Sequence, residues 1–336
     1  MALDRRGLLA AAAGVAAAPF ALAQPGAGQG AGAAADPPWP TRPVRVLVGF
    51  PPGGGVDIVA RLLMPRLADR LGQPVLVENR AGANGNIAMD AAAKAPADGY
   101  TLFYGNVGNL AVTNALYRDL PFDTVRDFAP VAQSMESSLV IAVADAVPAR
   151  NLAELLAYAR ANPGRLNAGS AGAGGPAHLA LELFKRQAGL DIVHVPYRGS
   201  APAVQDLAGG RIQLLLDGYS LMRSVVESGR ARVLAVTATE RQAILPDVPT
   251  TTEAGLPGFE AGSWHVLVAP AATPPAVLRR LEAAMDWALQ QPELIAAFAA
   301  QGVAARYRDA AATRAFIAAE RDRWGKVVRE AGITVE

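Results

Sequence analysis

Two short glycine-rich runs carry most of the chemistry this sequence can offer. Phe50-Pro51-Pro52-Gly53-Gly54-Gly55-Val56-Asp57 stands between a β-branched run and a helical pattern. Three successive Gly remove side-chain bulk, so backbone N–H groups can face a ligand. The start of the helix adds partial positive charge, and the combination suits a small anion. No Gly-Lys-Ser/Thr follows, so this is not a Walker loop. Asp57 reads first as the N-cap of that helix, with ligand contact as the alternative. The second run, Gly172-Ala173-Gly174-Gly175-Pro176-Ala177, again lies between strand and helix and matches Gly-x-Gly-x-x-Ala. A dinucleotide site would want an acidic residue at the end of the next strand. Asp191 precedes that strand and Val195-Pro196-Tyr197 follows it, so a second backbone anion cradle is the better reading. A branched side chain at Gly54 or Gly174 is expected to enter the anion site. Pro176 falls in the first helical turn, and His178 just beyond it either caps and packs or touches the ligand. Asp217-Gly218 closes the apolar run Ile212 to Leu216, where a carboxylate can reach a cleft or simply form a turn. His194 is expected in a buried strand and His265, beside Trp264, at the cleft or a hinge. No Ser-His-Asp or His-Glu spacing suggests a nucleophile or a metal site.

The elements that hold these runs alternate between strand and helix. Val44–Val48, Val75–Glu78 and Thr101–Tyr104 read as strands, with helices over Asp57–Leu71 and Asn86–Lys94. Pro65 should kink or shorten the first helix. A second block repeats the pattern. Val131–Val143 and Gly262–Ala269 are extended, and Leu166–Ser170, Ile192–Val195, Ile212–Leu216 and Val233–Val236 are strands. Helices are expected over Asn151–Ala161, Ala177–Ala188 and Ser200–Leu207, and over most of the chain after Pro275. Such alternation implies mostly parallel sheets with ligands beyond the carboxyl ends of the strands. Two α/β units joined by long extended segments fit two lobes with a cleft between them.

Composition bounds the function. The chain has 336 residues, 31 basic and 30 acidic, so no global field exists to hold nucleic acid. With 51% hydrophobic residues it can bury a core without disulfides, and the absence of Cys excludes thiolate chemistry. Residues 1–23 hold Arg5 and Arg6 before an Ala-rich apolar stretch and end in Ala21-Leu22-Ala23, the pattern of a cleaved export signal. The adjacent arginines resemble a twin-arginine signal, with the Sec route as the alternative. Residues 24–38, mostly Gly, Ala and Pro, read as a flexible spacer.

The runs Trp39-Pro40-Thr41-Arg42-Pro43-Val44-Arg45 and Val48 to Asp57 resemble the substrate-binding proteins of tripartite tricarboxylate transporters, the Bug receptors. The likeness continues through Glu78-Asn79-Arg80-Ala81-Gly82, Asp98-Gly99-Tyr100-Thr101-Leu102 and Tyr197-Arg198-Gly199-Ser200-Ala201-Pro202. It reaches Leu245-Pro246-Asp247-Val248-Pro249-Thr250 and Trp324-Gly325-Lys326. The resemblance implies a two-lobed α/β periplasmic-binding-protein fold that closes on a small organic acid. Residues 39–135 and 263–336 would form one lobe and 136–262 the other. It further implies delivery to the subunits of a membrane permease, no cofactor and no catalysis, from a monomer in the periplasm. Ligand contacts would come from Phe50, Pro52, Gly53, Gly54, Gly55, Asp57, Asn106, Gly172, Gly174, Gly175, His178 and Asp217. The second loop departs from relatives that often read Gly-Asn-Gly-Thr-Pro-Ser-His. Here Ala173, Gly175 and Ala177 replace Asn, Thr and Ser. Each lost hydrogen bond to a charged group is worth about 1.5–3 kcal/mol, which disfavours a citrate-like ligand. No Arg falls in either loop to clamp a carboxylate. A sensor or an enzyme using the same cleft are the competing readings.

Overall fold

The computed structural model describes residues 38–117 and 119–333, so the expected signal and nearly all of the spacer lie outside the described residues. The first sheet holds β1 (Val44–Val48), β2 (Val75–Asn79), β3 (Thr101–Asn106), β4 (Phe128–Ser138), β10 (Gly262–Pro270) and β11 (Ala304–Arg308), in the order β11-β4-β10-β3-β1-β2. The second holds β5 (Val140–Ala144), β6 (Asn167–Ser170), β7 (Val193–Pro196), β8 (Leu214–Asp217) and β9 (Ala231–Val236), in the order β7-β6-β8-β5-β9. Each sheet has its own core, as a two-lobed α/β protein requires.

Both sheets are mixed, which corrects the expectation of mostly parallel strands. β1 pairs in parallel with β2 and β3, and β6 with β7 and β8. Every pairing of β4, β5 and β10 is antiparallel. A strand–helix–strand unit enforces parallel pairing because its helix carries the chain back to the starting edge. β4 runs straight into β5 with only Leu139 between them, and β10 returns beside β4, pairing Trp264 with Glu136. Those segments pass between sheets with no helix to reverse them.

Strand periodicity sorts the core of the first sheet. Val44, Val46 and Val48 of β1 face α1 (Gly55–Leu71), α8 (Pro275–Leu289) and α9 (Pro292–Ala299), whereas Leu47 faces the opposite side. There α2 (Asn86–Ala93) and α10 (Ala310–Ala331) cover it, with a π-helical turn, Gly108–Val112, that leads into α3 (Thr113–Leu116). α1 runs unbroken through Pro65, so that residue does not shorten it, and Gly72 in the left-handed region (φ 74°) closes it. The second sheet is covered by α4 (Leu152–Ala161), α5 (Pro176–Ala188), α6 (Ser200–Ala208) and α7 (Tyr219–Glu227). Phe184 of α5 meets Phe259 edge-on in that core. The sequence reading contained neither α7 nor β11.

Candidate functional site

A cavity opens between the two sheets, where the strand-to-helix loops of both converge. It is lined by Phe50 to Val56 from the loop before α1 and by Gly175, Pro176 and Ala177 from the loop before α5. About 140 Å³ is open to water centres. One ordered water needs roughly 10–15 Å³ by that measure, so the space suits a small molecule. Met135, Ser137, Ser138, Ser263 and His265, on the strands that pass between the sheets, form its floor.

The first loop is fixed from behind. Gly54 is the N-cap of α1 and has no side-chain cap; Asp57, expected there, sits three residues further on, in the first turn of the helix. The Asp57 carboxylate is 2% exposed and accepts the Gly53 N–H at 2.9 Å, Asn79 Nδ2 at 2.8 Å and Arg61 Nε at 3.0 Å. Burial acts to raise its pKa, but the bonds from Arg61, Gly53 and Asn79 outweigh burial and hold it below the usual carboxylate value. Asp57 does not line the cavity. Its carboxylate faces the loop that does. Gly53, with φ 80°, needs the left-handed conformation that glycine adopts without strain.

The second loop is built in the same way. Gly175 caps α5 with Pro176 at the first helical position, and both face the cavity. Gly172 and Gly174 take positive φ (144° and 76°) and lie outside the lining. A Cβ on Gly174 would stand 2.1 Å from Leu116 Cδ1, so a side chain there meets α3 and not the anion site. His178 also stands behind the loop, where its Nδ1 accepts the Gly174 N–H at 2.9 Å. His194, expected in a buried strand, is half-buried on the edge strand β7 and bonded to Ser170.

Asp217, at the end of β8, reaches the cavity. It accepts Ser200 Oγ at 2.7 Å and the Gly218 N–H at 2.8 Å. Burial raises its pKa, opposed by those two bonds. Asn106 also lines the cavity, its Oδ1 accepting the Gly108 N–H at 3.0 Å at the start of the π-helical turn. His265 lies edge-on to Tyr104 with ring centroids 5.4 Å apart, and burial pulls its pKa down to about 3. It is therefore a neutral ring at physiological pH.

Of the expected residues, the structure brings together Phe50, Pro52, Gly53, Gly54, Gly55, Asn106, Gly175 and Asp217. It places Asp57, Gly172, Gly174 and His178 one layer behind. Sequence reasoning missed Arg198, Ser200 and Asn84 as lining residues. Arg198 and Ser200 fall in the Tyr197–Pro202 run that carried the resemblance, so that run held the available signal. Nothing local marks Asn84, whose Nδ2 donates to the Gly174 carbonyl at 3.4 Å, 90 residues away. Arg198 is the cavity's sole Arg or Lys among the described residues. No group of three or more metal-ligating side chains occurs among the described residues. The arrangement offers two helix starts, loop amides, one guanidinium and hydroxyls, beside the Asp217 carboxyl whose pKa burial raises. It can bind an anion.

The family described as tripartite tricarboxylate transporter family receptor matches residues 59–333. Protein BugT of Bordetella pertussis (strain Tohama I) is 40% identical over 295 residues, covering 88% of this chain and 90% of that one. The solved structure of Rpa4515 from R. palustris with adipate superposes with a TM-score of 0.84 at 37% identity, covering 88% of this chain and 99% of that one. MatC (Rpa3494) from Rhodopseudomonas palustris with bound malate gives 0.80 at 33% identity, covering 86% and 100%.

Proposed function

The chain belongs to the tripartite tricarboxylate transporter receptor family, and from that premise we propose that it captures a small organic carboxylate and delivers it to a tripartite-type permease. One observation carries the reading of the site. The N-caps of α1 and α5, Gly54 and Gly175, belong to different sheets and line one cavity. Each helix start favours an anion by about 0.3–1 kcal/mol when exposed, approaching about 2 kcal/mol when partly buried. Neither alone makes a useful site, so binding needs both. We assign ligand contact to the cavity-lining residues and loop support to Asp57, Gly172, Gly174 and His178. Lobe boundaries near residues 136 and 262 fit the passage of β4 into β5 and the return through β10.

The ligand is a compact, partly apolar monocarboxylate or dicarboxylate. Phe50, Pro51, Pro52, Leu139 and Leu221 give the cavity its apolar wall, and Arg198 offers the charge for a second carboxylate. Relatives are described with adipate and with malate, both dicarboxylates. Export is proposed from Arg5, Arg6 and the small-residue pattern ending at Ala23, which would make the working protein periplasmic; separately, we propose that it acts as a monomer. No helix of the described residues is long and apolar enough to cross a membrane.

Mass spectrometry of the small molecules that co-purify from the native periplasm tests the reading directly. The expected result is one organic acid in near-stoichiometric amount, whose addition raises the melting temperature. A shift with NAD and none with any carboxylate would overturn it.

A further inference from the structure

Behind the second glycine loop, outside the cavity, three polar side chains form a chain that ligand contact does not explain. His178, in the first turn of α5, is 5% exposed, and its Nδ1 accepts the Gly174 N–H at 2.9 Å. Its ring lies flat on that of His194 from β7, with centroids 3.7 Å apart and planes 7° apart. His194 Nε2 shares a 2.7 Å hydrogen bond with the fully buried Ser170 Oγ. Ser170 Oγ in turn donates to the Gly172 carbonyl at 3.0 Å and accepts the Gly172 N–H at 3.3 Å. The chain therefore grips the loop at Gly172 and Gly174, its two positions of positive φ.

We propose that His178 is the positioning residue of the second loop, holding Gly174 so that Gly175 and the start of α5 face the bound carboxylate, and that proton uptake by the stacked imidazole pair releases the hold. The proposal rests on the receptor reading above.

The hydrogen-bond roles set the logic. A neutral ring that accepts at Nδ1 carries its proton on Nε2, which faces Glu182 Oε1 at 3.8 Å. A protonated ring donates at both nitrogens, so its Nδ1–H would confront the Gly174 N–H and the loop would lose its acceptor. Two charged rings at this separation would also repel. The charges around the pair do not prevent this. Glu182, on α5, is already tied to Lys185 Nζ at 2.7 Å, and Lys185 adds a positive charge. β7 contributes His194, β6 contributes only the hydroxyl of Ser170, and α10, packed along α5, directs Glu330 to Arg186. Burial, then Lys185, lowers His178 to about 4. Burial, then His178, lowers His194 to about 4. For a histidine depressed in the held state, the hold is complete above the ordinary imidazole pKa of about 6.5. It weakens below that and is lost as pH falls through about 4.

The test uses full-length protein, wild type beside His178→Asn and His178→Ala. Asn offers an acceptor near the Nδ1 position and does not titrate; Ala offers none. The ligand-free readout is the Gly174 amide, followed by resonance position and hydrogen exchange in glycine-labelled protein from about pH 7 to about pH 3, across the window in which the pair takes up its protons. The second readout is calorimetry with adipate as probe. In wild type, Gly174 protection should be present at neutral pH and lost on acidification, whereas the Asn variant should change little. Ala should weaken adipate about tenfold or more at neutral pH, and Asn should restore most of it. The ratio of wild-type to Asn affinity should fall with pH, since adipate's own protonation is common to both. A Gly174 amide indifferent to pH in wild type would overturn the proposal, as would wild-type adipate affinity in a folded Ala variant. If Ala fails to fold, the pH dependence of wild type against Asn decides. Wild type that binds no carboxylate sinks the receptor reading instead, and the amide readout still decides the role of His178.

Discussion

At Gly54 the backbone is extended, with φ −78° and ψ 163°, a conformation open to any L residue. A Cβ there would meet only the Pro51 carbonyl, at 3.3 Å, and the residue faces the cavity. Gly54→Val should therefore fold and lose ligand, with near-wild-type unfolding beside flat calorimetry for the co-purified acid. Gly174 has φ 76° and a Cβ position against Leu116. Gly174→Val should unfold more easily by more than roughly 1–2 kcal/mol, from the left-handed backbone before any contact is counted. The two glycine runs look alike in the sequence, but only the fold shows which glycine faces the cavity and which meets a neighbouring helix. Asp57 behaves as a third case. Asp57→Ala leaves the Gly53 N–H and Asn79 without their acceptor and should destabilise by about 1–3 kcal/mol at neutral pH. Because its folded pKa is depressed, that contribution is present above the unfolded value of about 3.9 and is lost as pH falls through the lower folded one. Denaturant unfolding at neutral pH and near pH 3 should show the gap between wild type and variant narrowing on acidification. A gap that widens would remove the carboxylate from the role.

The elements that position both loops were legible because local pattern decides them. β1 alternates apolar residues between two cores, and each glycine run sits where a strand ends and a helix begins. α7 escaped notice because its buried face is only Tyr219, Met222 and Val225, with Ser220, Ser224 and Val226 giving weak helix propensity between them. β11 escaped because it is mostly exposed and owes its pairing to β4, some 170 residues earlier. The support of α10 for the first sheet was equally invisible. Glu320 Oε2 on α10 accepts the indole N–H of Trp264 on β10 at 2.8 Å and of Trp324 at 2.9 Å, all three residues being buried. A single carboxylate thus fastens a helix to a strand that passes between the sheets. Glu320→Leu would leave two buried indole donors unpaired, at about 1–3 kcal/mol each. Thermal unfolding should fall accordingly, with a change in tryptophan emission. Wild-type stability in that variant would show that the two indoles find other acceptors.

At the scale of the whole molecule, contacts span the cleft beside the loops that line it. Asn84, between β2 and α2, donates to the Gly174 carbonyl, and a Cβ on Gly199 would touch Pro51 at 3.5 Å. Arg223 Nη2 of α7 donates to the Ala300 carbonyl after α9 at 3.0 Å, and Arg186 of α5 pairs with Glu330 of α10. These outer contacts are solvent-exposed, and exposed pairs contribute little to stability. Their effect on binding is different in kind. A ligand that needs both lobes binds only the closed form, so its apparent affinity is reduced by the fraction of molecules not closed. Removing a contact that the shut cleft makes lowers the closed fraction, and with it the affinity, while leaving each lobe's core intact. Arg223→Ala should therefore melt like wild type without ligand yet bind the co-purified acid several-fold more weakly. Ligand-linked stabilisation should follow about RT ln(1 + [L]/Kd), roughly 2.7 kcal/mol at hundredfold excess over Kd for either protein. The two melting curves should then coincide when ligand is matched to each protein's own Kd and diverge when it is matched in concentration. Small-angle scattering of the ligand-free proteins should show the variant more open. Unchanged affinity, or a lower melting temperature without ligand, would mean that Arg223 serves the fold and has no part in closure.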